Sequence, residues 1–149
     1  MKSVGIKIIS SNKKAHFNYF LSDFMEAGIE LKGTEIKSLR VTGATINDSY
    51  VVIRNEEAKI INMYIKPYDH GNLFNHDPLR NRKLLLHKHQ IRWLAQKIKT
   101  EGFTVVPTKI YFSKGKVKVE IALAKGKHNY DKRETIKKRD LQRELDKGL

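Results

Sequence analysis

The sequence predicts a mainly β fold: a small closed sheet with short flanking helices and a basic C-terminal tail. Residues 116–123 alternate strictly, with Val117, Val119, Ile121 and Leu123 on one face and Lys116, Lys118, Glu120 and Ala122 on the other. Other apolar runs are short and separated by Gly, Asn or Pro, the pattern of strands joined by tight turns. A clear helical period occurs once, where Ile91, Leu94, Ala95 and Ile98 fall at i, i+3, i+4 and i+7. Closing the sheet removes its exposed edges. One helix can plug an open end, which favours an OB-like closed β-barrel over a sandwich.

Each element follows in order. Val4, Ile6 and Ile8 alternate with Gly5 and Lys7, so a strand fits within a basic arm over residues 1–14, and residues 11–14 read as a loop. Residues 16–31 form an aromatic-rich strand with a bulge or bend at Gly28. A short helix over residues 34–40 carries Ile36 and Leu39 and ends near Gly43. Residues 50–54 and 58–65 make a hairpin across Asn55-Glu56-Glu57, and Pro67 stops its second strand. Residues 67–82 lack periodicity and read as a loop. The clear helix covers residues 88–100 and stops near Gly102. A strand over 103–112 must accommodate Pro107 as an edge or bend. Ser113-Lys114-Gly115 is a tight turn into the alternating strand. The body with its arm spans residues 1–124. Residues 125–149 hold nine Lys/Arg against five Asp/Glu, and Ile136, Leu141 and Leu145 are too sparse for a core. That composition predicts a tail disordered when free.

The charge says more about partners than about fold. The 149 residues include 30 Lys and Arg against 16 Asp and Glu, giving +14 and an isoelectric point near 9.9. Such an excess repels itself in the folded state and suits a polyanion, whose phosphates release counterions on contact. There is no cysteine, which removes disulfides, thiolate zinc sites and thiol nucleophiles. No apolar run approaches the roughly 20 residues of a membrane helix. The N-terminal stretch is too short and charged for a secretory leader. A cytoplasmic protein without a membrane partner is expected. His16, His70, His76, His87, His89 and His128 are scattered, and His87 and His89 point apart on a helix. Surface or RNA-facing histidines are expected, with no metal. Nucleophile elbows, Walker loops and dinucleotide fingerprints are missing, so neither an enzyme nor a cofactor is expected.

The candidate residues carry alternatives. Arg80, Arg82, Lys83 and Lys88 bracket Leu84, Leu85 and Leu86. The cations can grip phosphates in forked geometry or form a solvated helix entrance, and the leucines suit core more often than contact. Glu26, a carboxylate in a basic chain, can accept bonds from base amino groups or be an ordinary strand residue. Tyr130 lies among Lys127, His128, Asn129, Lys132 and Arg133, so it suits a stacking platform or a plain linker tyrosine. In the tail, Glu134 with Lys138 favours a helix and Arg139 with Arg143 opposes one. A helix of that length is marginal in water and would order on contact with a polyanionic channel.

Several segments together resemble the small protein B (SmpB) family. They are residues 12–15, 26–40, 48–51, 75–86 and 124–127, followed by Asp131-Lys132-Arg133, in matching order and spacing across nearly the whole chain. The resemblance implies an OB fold that binds the tRNA-like domain of transfer-messenger RNA (tmRNA) at its elbow and D-loop, standing in for a missing anticodon arm. It implies RNA contacts at Asn12, Glu26, Lys83 and Leu85, with Lys13, Lys14, Arg80, Arg82, Lys125 and Lys127 in or beside the same motifs. Tyr130, Asp131, Lys132, Arg133, Lys137, Lys138 and Arg139 would act on the ribosome, in the decoding centre and the empty messenger channel. Elongation factor Tu would be met indirectly, through alanyl-tmRNA. The tail is shorter than in some members, and Leu141 stands where some relatives have tryptophan. Two other classes are a general single-strand-binding module, which would take unstructured oligonucleotides equally well, and an RNA-cleaving enzyme, which would need clustered carboxylates.

Overall fold

The structure, a computed structural model, describes residues 6–68, 75–127 and 139. Its elements run β1 (Lys7–Ser11), α1 (Lys13–Asn18), β2 (Tyr19–Ile29), α2 (Gly33–Val41), β3 (Ala44–Thr45), β4 (Tyr50–Arg54), β5 (Glu57–Ile61), β6 (Tyr64–Ile65), β7 (Arg82–Leu85), α3 (Lys88–Glu101), β8 (Thr104–Ser113) and β9 (Lys116–Gly126). The main sheet has the order β1-β8-β4-β5-β7-β2-β9, and β8 also pairs with β9. Six strands therefore close into a ring, with β1 attached outside it along β8. The tiny β3–β6 pair stands apart. Mainly β with flanking helices, as the patterning predicts, is what forms.

The alternation of β9 holds: Val117, Val119, Ile121 and Leu123 are all buried in the main core. There they meet Ile29, Ile60, Leu84 and Val105, and α3 adds Ile91 and Leu94. Gly102 caps α3 in the left-handed region at φ 71°, where glycine carries no Cβ penalty. At Pro107, which has no N–H for a ladder, the β8–β9 register slips before Lys109. Asn55 and Glu56 both adopt positive φ, 53° and 60°, and make a two-residue turn, so Glu57 already belongs to β5.

Several expectations need correction. Residues 13–18 are helical instead of a loop leading into a strand. Asn12 is the reason: its Oδ1 accepts the Ala15 N–H at 3.0 Å, capping the helix before the aromatic alternation takes over at Tyr19. The β2 bulge lies between Ser22 and Met25, with Asp23 at φ 53°, and not at Gly28. The run 58–65 breaks at Asn62, at φ 62°, into β5 and β6. The loop 67–82 ends in a strand, β7, that alternates Arg82 and Leu84 inward with Lys83 and Leu85 outward. The tail boundary also shifts. Lys125 and Gly126 pair with Phe20 and Tyr19, and the Lys127 N–H donates to Asn18.

Asn12 joins three segments. Its Nδ2 donates to the Pro107 carbonyl at 2.8 Å and the Ile46 carbonyl at 3.2 Å, and its backbone N–H reaches Thr108. The side chain is 1% exposed. Asn12→Ala removes a cap and two buried hydrogen bonds, although the Ile46 carbonyl keeps the Ser49 N–H. The expected loss is about 2–4 kcal/mol of stability, read from a urea midpoint.

Candidate RNA-binding surface

Three of the four residues with the most specific implied roles, Glu26, Lys83 and Leu85, converge on one face. The fourth, Asn12, is 1% exposed with its side chain bonded inside the protein, so its implied RNA contact gives way to a structural role. A groove of about 560 Å³ is lined by Glu26 and Gly28 of β2, Lys83 to Leu85 of β7, the α3 entrance around Lys88, and Lys118 of β9. Antiparallel pairing sets Gly28 opposite Leu85 and Ile29 opposite Leu84. Period-two geometry then buries Leu84 and leaves Leu85 48% exposed. Gly28 makes this possible, since a Cβ there would lie 3.1 Å from the Leu85 Cβ. Lys83 stands beside Leu85, 3.4 Å from Glu57 in a partly exposed pair that holds it weakly. Glu26 is exposed and accepts a hydrogen bond from the Tyr111 hydroxyl. The groove thus combines an apolar shelf, an anionic acceptor and cations.

The two arginines do something else. Glu35 of α2 is completely buried, and its two oxygens receive four donors. Oε1 takes the Lys32 N–H at 2.7 Å and Arg80 Nη2 at 2.6 Å. Oε2 takes Arg80 Nε at 3.0 Å and Arg82 Nε at 2.5 Å. A carboxylate has about four acceptor sites, so none is left. Burial pushes the Glu35 carboxyl up, but the bonds from Arg80, the Lys32 backbone and Arg82 outweigh it and hold it below its ordinary value. Arg82 is itself 0% exposed and donates onward to the Met63 and Pro78 carbonyls at 2.7 and 3.2 Å. Its guanidinium faces no solvent, so the expectation of a phosphate-gripping Arg82 gives way to a structural one. Arg80, one-quarter exposed, also bonds the Glu30 and Asn81 carbonyls. The pair fastens the loop before β7 onto α2, which sets Lys83 and Leu85 in place.

The remaining candidates lie elsewhere. Lys13 is exposed, and Lys14 pairs with Asp48 at 2.6 Å, both well solvated. Lys125 donates to the Glu101 carbonyl and covers the Phe103 ring at 4.6 Å, while Lys127 covers Phe20 at 5.2 Å. The Arg139 guanidinium lies over Phe17 at 5.4 Å. Tyr130, Asp131, Lys132, Arg133, Lys137 and Lys138 fall outside the described residues. His76 is not a surface histidine. It is 4% exposed and bridges Thr34 and the Ile65 carbonyl, each at 2.9 Å. Sequence reasoning missed Tyr111 and Glu35. The outward alternation of β9 already set Glu120 and Lys118 on one face, but nothing in the spacing linked that face to Tyr111. Among the described residues no helix is long and apolar enough to cross a membrane.

Comparison with known proteins settles the family. The family model described as SmpB protein matches residues 9–149. The chain belongs to the SmpB family. The SsrA-binding protein of Malacoplasma penetrans is 58% identical over 144 residues, covering 97% of this chain and 99% of that one. The SsrA-binding protein of Caldicellulosiruptor bescii is 52% identical over 148 residues, covering 99% and 94%. A chain of the solved structure described as "tmRNA-SmpB: a journey to the center of the bacterial ribosome" matches with a TM-score of 0.67 at 43% identity. It covers 85% of this chain and 93% of its own length.

Proposed function

We propose that this protein binds tmRNA in trans-translation and delivers it to stalled ribosomes, where the nascent peptide is tagged. The observation that carries the reading is the groove, which gathers Glu26, Lys83 and Leu85 on a rigid ring of strands. Its chemistry suits a folded RNA with exposed loop bases, as at a tRNA-like elbow and D-loop. Lysines meet phosphate, Leu85 packs against a sugar or base, and Glu26 accepts from a base edge. The names of the 58% and 52% identical relatives support the RNA partner. The solved structure that contains a chain 43% identical to this one, and whose description names the bacterial ribosome, supports the ribosomal one.

The finer reading is an OB-type barrel that occupies the place of an anticodon arm. Asn12, Lys13, Lys14, Arg80, Arg82, Lys125 and Lys127 organise or flank the RNA-facing surface. Tyr130, Asp131, Lys132, Arg133, Lys137, Lys138 and Arg139 act in the decoding centre and messenger channel. Elongation factor Tu is met through alanyl-tmRNA, and the work is non-catalytic and cytoplasmic. The test is equilibrium binding to a tRNA-like-domain fragment across a salt series. Affinity is expected to fall steeply with salt, and Lys83→Ala to reduce the log–log slope by about one or less. A flat salt response, or equal affinity for an unstructured oligonucleotide of the same length, overturns the reading.

A further inference from the structure

The proposed groove contains a carboxylate whose placement the fold itself does not require. Glu26 lies directly opposite Glu120 in the β2–β9 register. Like charges facing each other across a ladder destabilise it. Glu120 is compensated: Thr108 Oγ1 donates to it at 2.7 Å and Lys109 Nζ is 3.8 Å away. Glu26 has no cation within 4.0 Å among the described residues, and its side-chain partner is the Tyr111 hydroxyl. Tyr111 stands on β8, two strands away, and reaches across β9 to make that bond. It is 5% exposed, and Lys109 covers its ring at 5.7 Å.

Resting on the RNA-binding reading, we infer that Tyr111 is a positioning residue. Its buried hydroxyl tethers one Glu26 oxygen and leaves the other as a fixed acceptor for an RNA base edge that carries N–H donors. The chemistry is directional. A carboxylate only accepts, so it selects an amino or imino edge and rejects a bare carbonyl or ring nitrogen. An untethered surface glutamate loses several rotamers when it binds, and Tyr111 has already removed that freedom. Burial, the hydrogen bond to Glu26 and the neighbouring Glu120 push the phenol far above its ordinary value, so it stays protonated and donating. Lys83 and Lys118 line the same groove and suit the phosphates on either side of such a base.

The test is a double-mutant cycle on the full chain, with a fluorescent tRNA-like-domain RNA at fixed salt. Tyr111→Phe keeps the ring and its packing and is expected to weaken binding roughly tenfold, the scale of a hydrogen bond to a charged group. The thermal midpoint and the salt slope should stay close to wild type, because the phenol contacts no phosphate. Glu26→Gln should weaken binding at least as much, and Tyr111→Phe should add nothing in that background. Glu26→Asp, too short to keep both the tether and the groove position, should resemble Tyr111→Phe. Wild-type affinity in Tyr111→Phe, or a loss that adds fully to that of Glu26→Gln, overturns the inference while leaving the RNA-binding function standing. A wild-type chain with no preference for the tRNA-like domain removes that function, and the inference with it.

Discussion

Replacing Glu35 with glutamine is expected to lower the free energy of unfolding by about 3–5 kcal/mol, the cost of breaking a buried ion pair from one side. The carboxylate is fully buried between Arg80 and Arg82, and Arg82 has no solvent to turn to. Removing the anion leaves a buried guanidinium beside a second cation. Glutamine can accept at one oxygen only, where the carboxylate accepts at both. A urea or thermal unfolding series measures the loss, and a change below about 1 kcal/mol, the worth of a surface pair, refutes the buried-network account. The same carboxylate sets an acid limit. Its pKa is lower in the folded state than its ordinary 4.5. The folded state therefore binds fewer protons there, and the stabilisation is fully present above about that value. It is lost as pH falls through the lower folded value. Wild-type stability should decline below about pH 4.5, and Glu35→Gln should decline less over that window.

This network also marks where reading the sequence stopped. Strand β9 was legible because one residue in two must face the core, helix α3 because its apolar residues recur at the helical period, and β4 because a turn follows it; all three lie close to where patterning sets them. The β7 strand was not, since its inward face is Arg82 and Leu84. An inward arginine reads as polar unless its partner is known, and that partner, Glu35, is 47 residues away. Helix α1 escaped for the opposite reason. It is six residues long, and its cap, Asn12, is fixed by carbonyls at positions 46 and 107. The groove was half legible. Lys83 stood out by charge and Leu85 by resemblance alone, whereas the tether on Glu26 depends on strand order, which no local pattern carries. Arg82 shows the converse error: an arginine in a loop beside a helix suits phosphate until the geometry shows every one of its donors directed inward.

Truncation after Lys127 should separate the two halves of the proposed function. Tagging of peptides on stalled ribosomes is expected to vanish, while affinity for the tRNA-like domain stays within about twofold to threefold of wild type. The reason is electrostatic and topological. Residues 128–149 carry seven basic and five acidic side chains, so their removal lowers the net charge by only two from +14. Counterion release, which dominates affinity, scales with phosphate contacts on the body and not with chain length. The cut also falls beyond the ladder. β9 ends at Gly126, and the Lys127 N–H still reaches Asn18. The described contact that is lost, Arg139 over Phe17, is an exposed cation–π pair of about 0.5–1 kcal/mol. Ribosome work has no such substitute, because Tyr130, the Asp131-Lys132-Arg133 motif and the cations from Lys137 to Arg139 all go together. Binding by fluorescence anisotropy and tagging in a reconstituted translation reaction read the two arms on one preparation. Parallel loss of both would mean that the body alone does not hold the RNA, and the division of labour would fail.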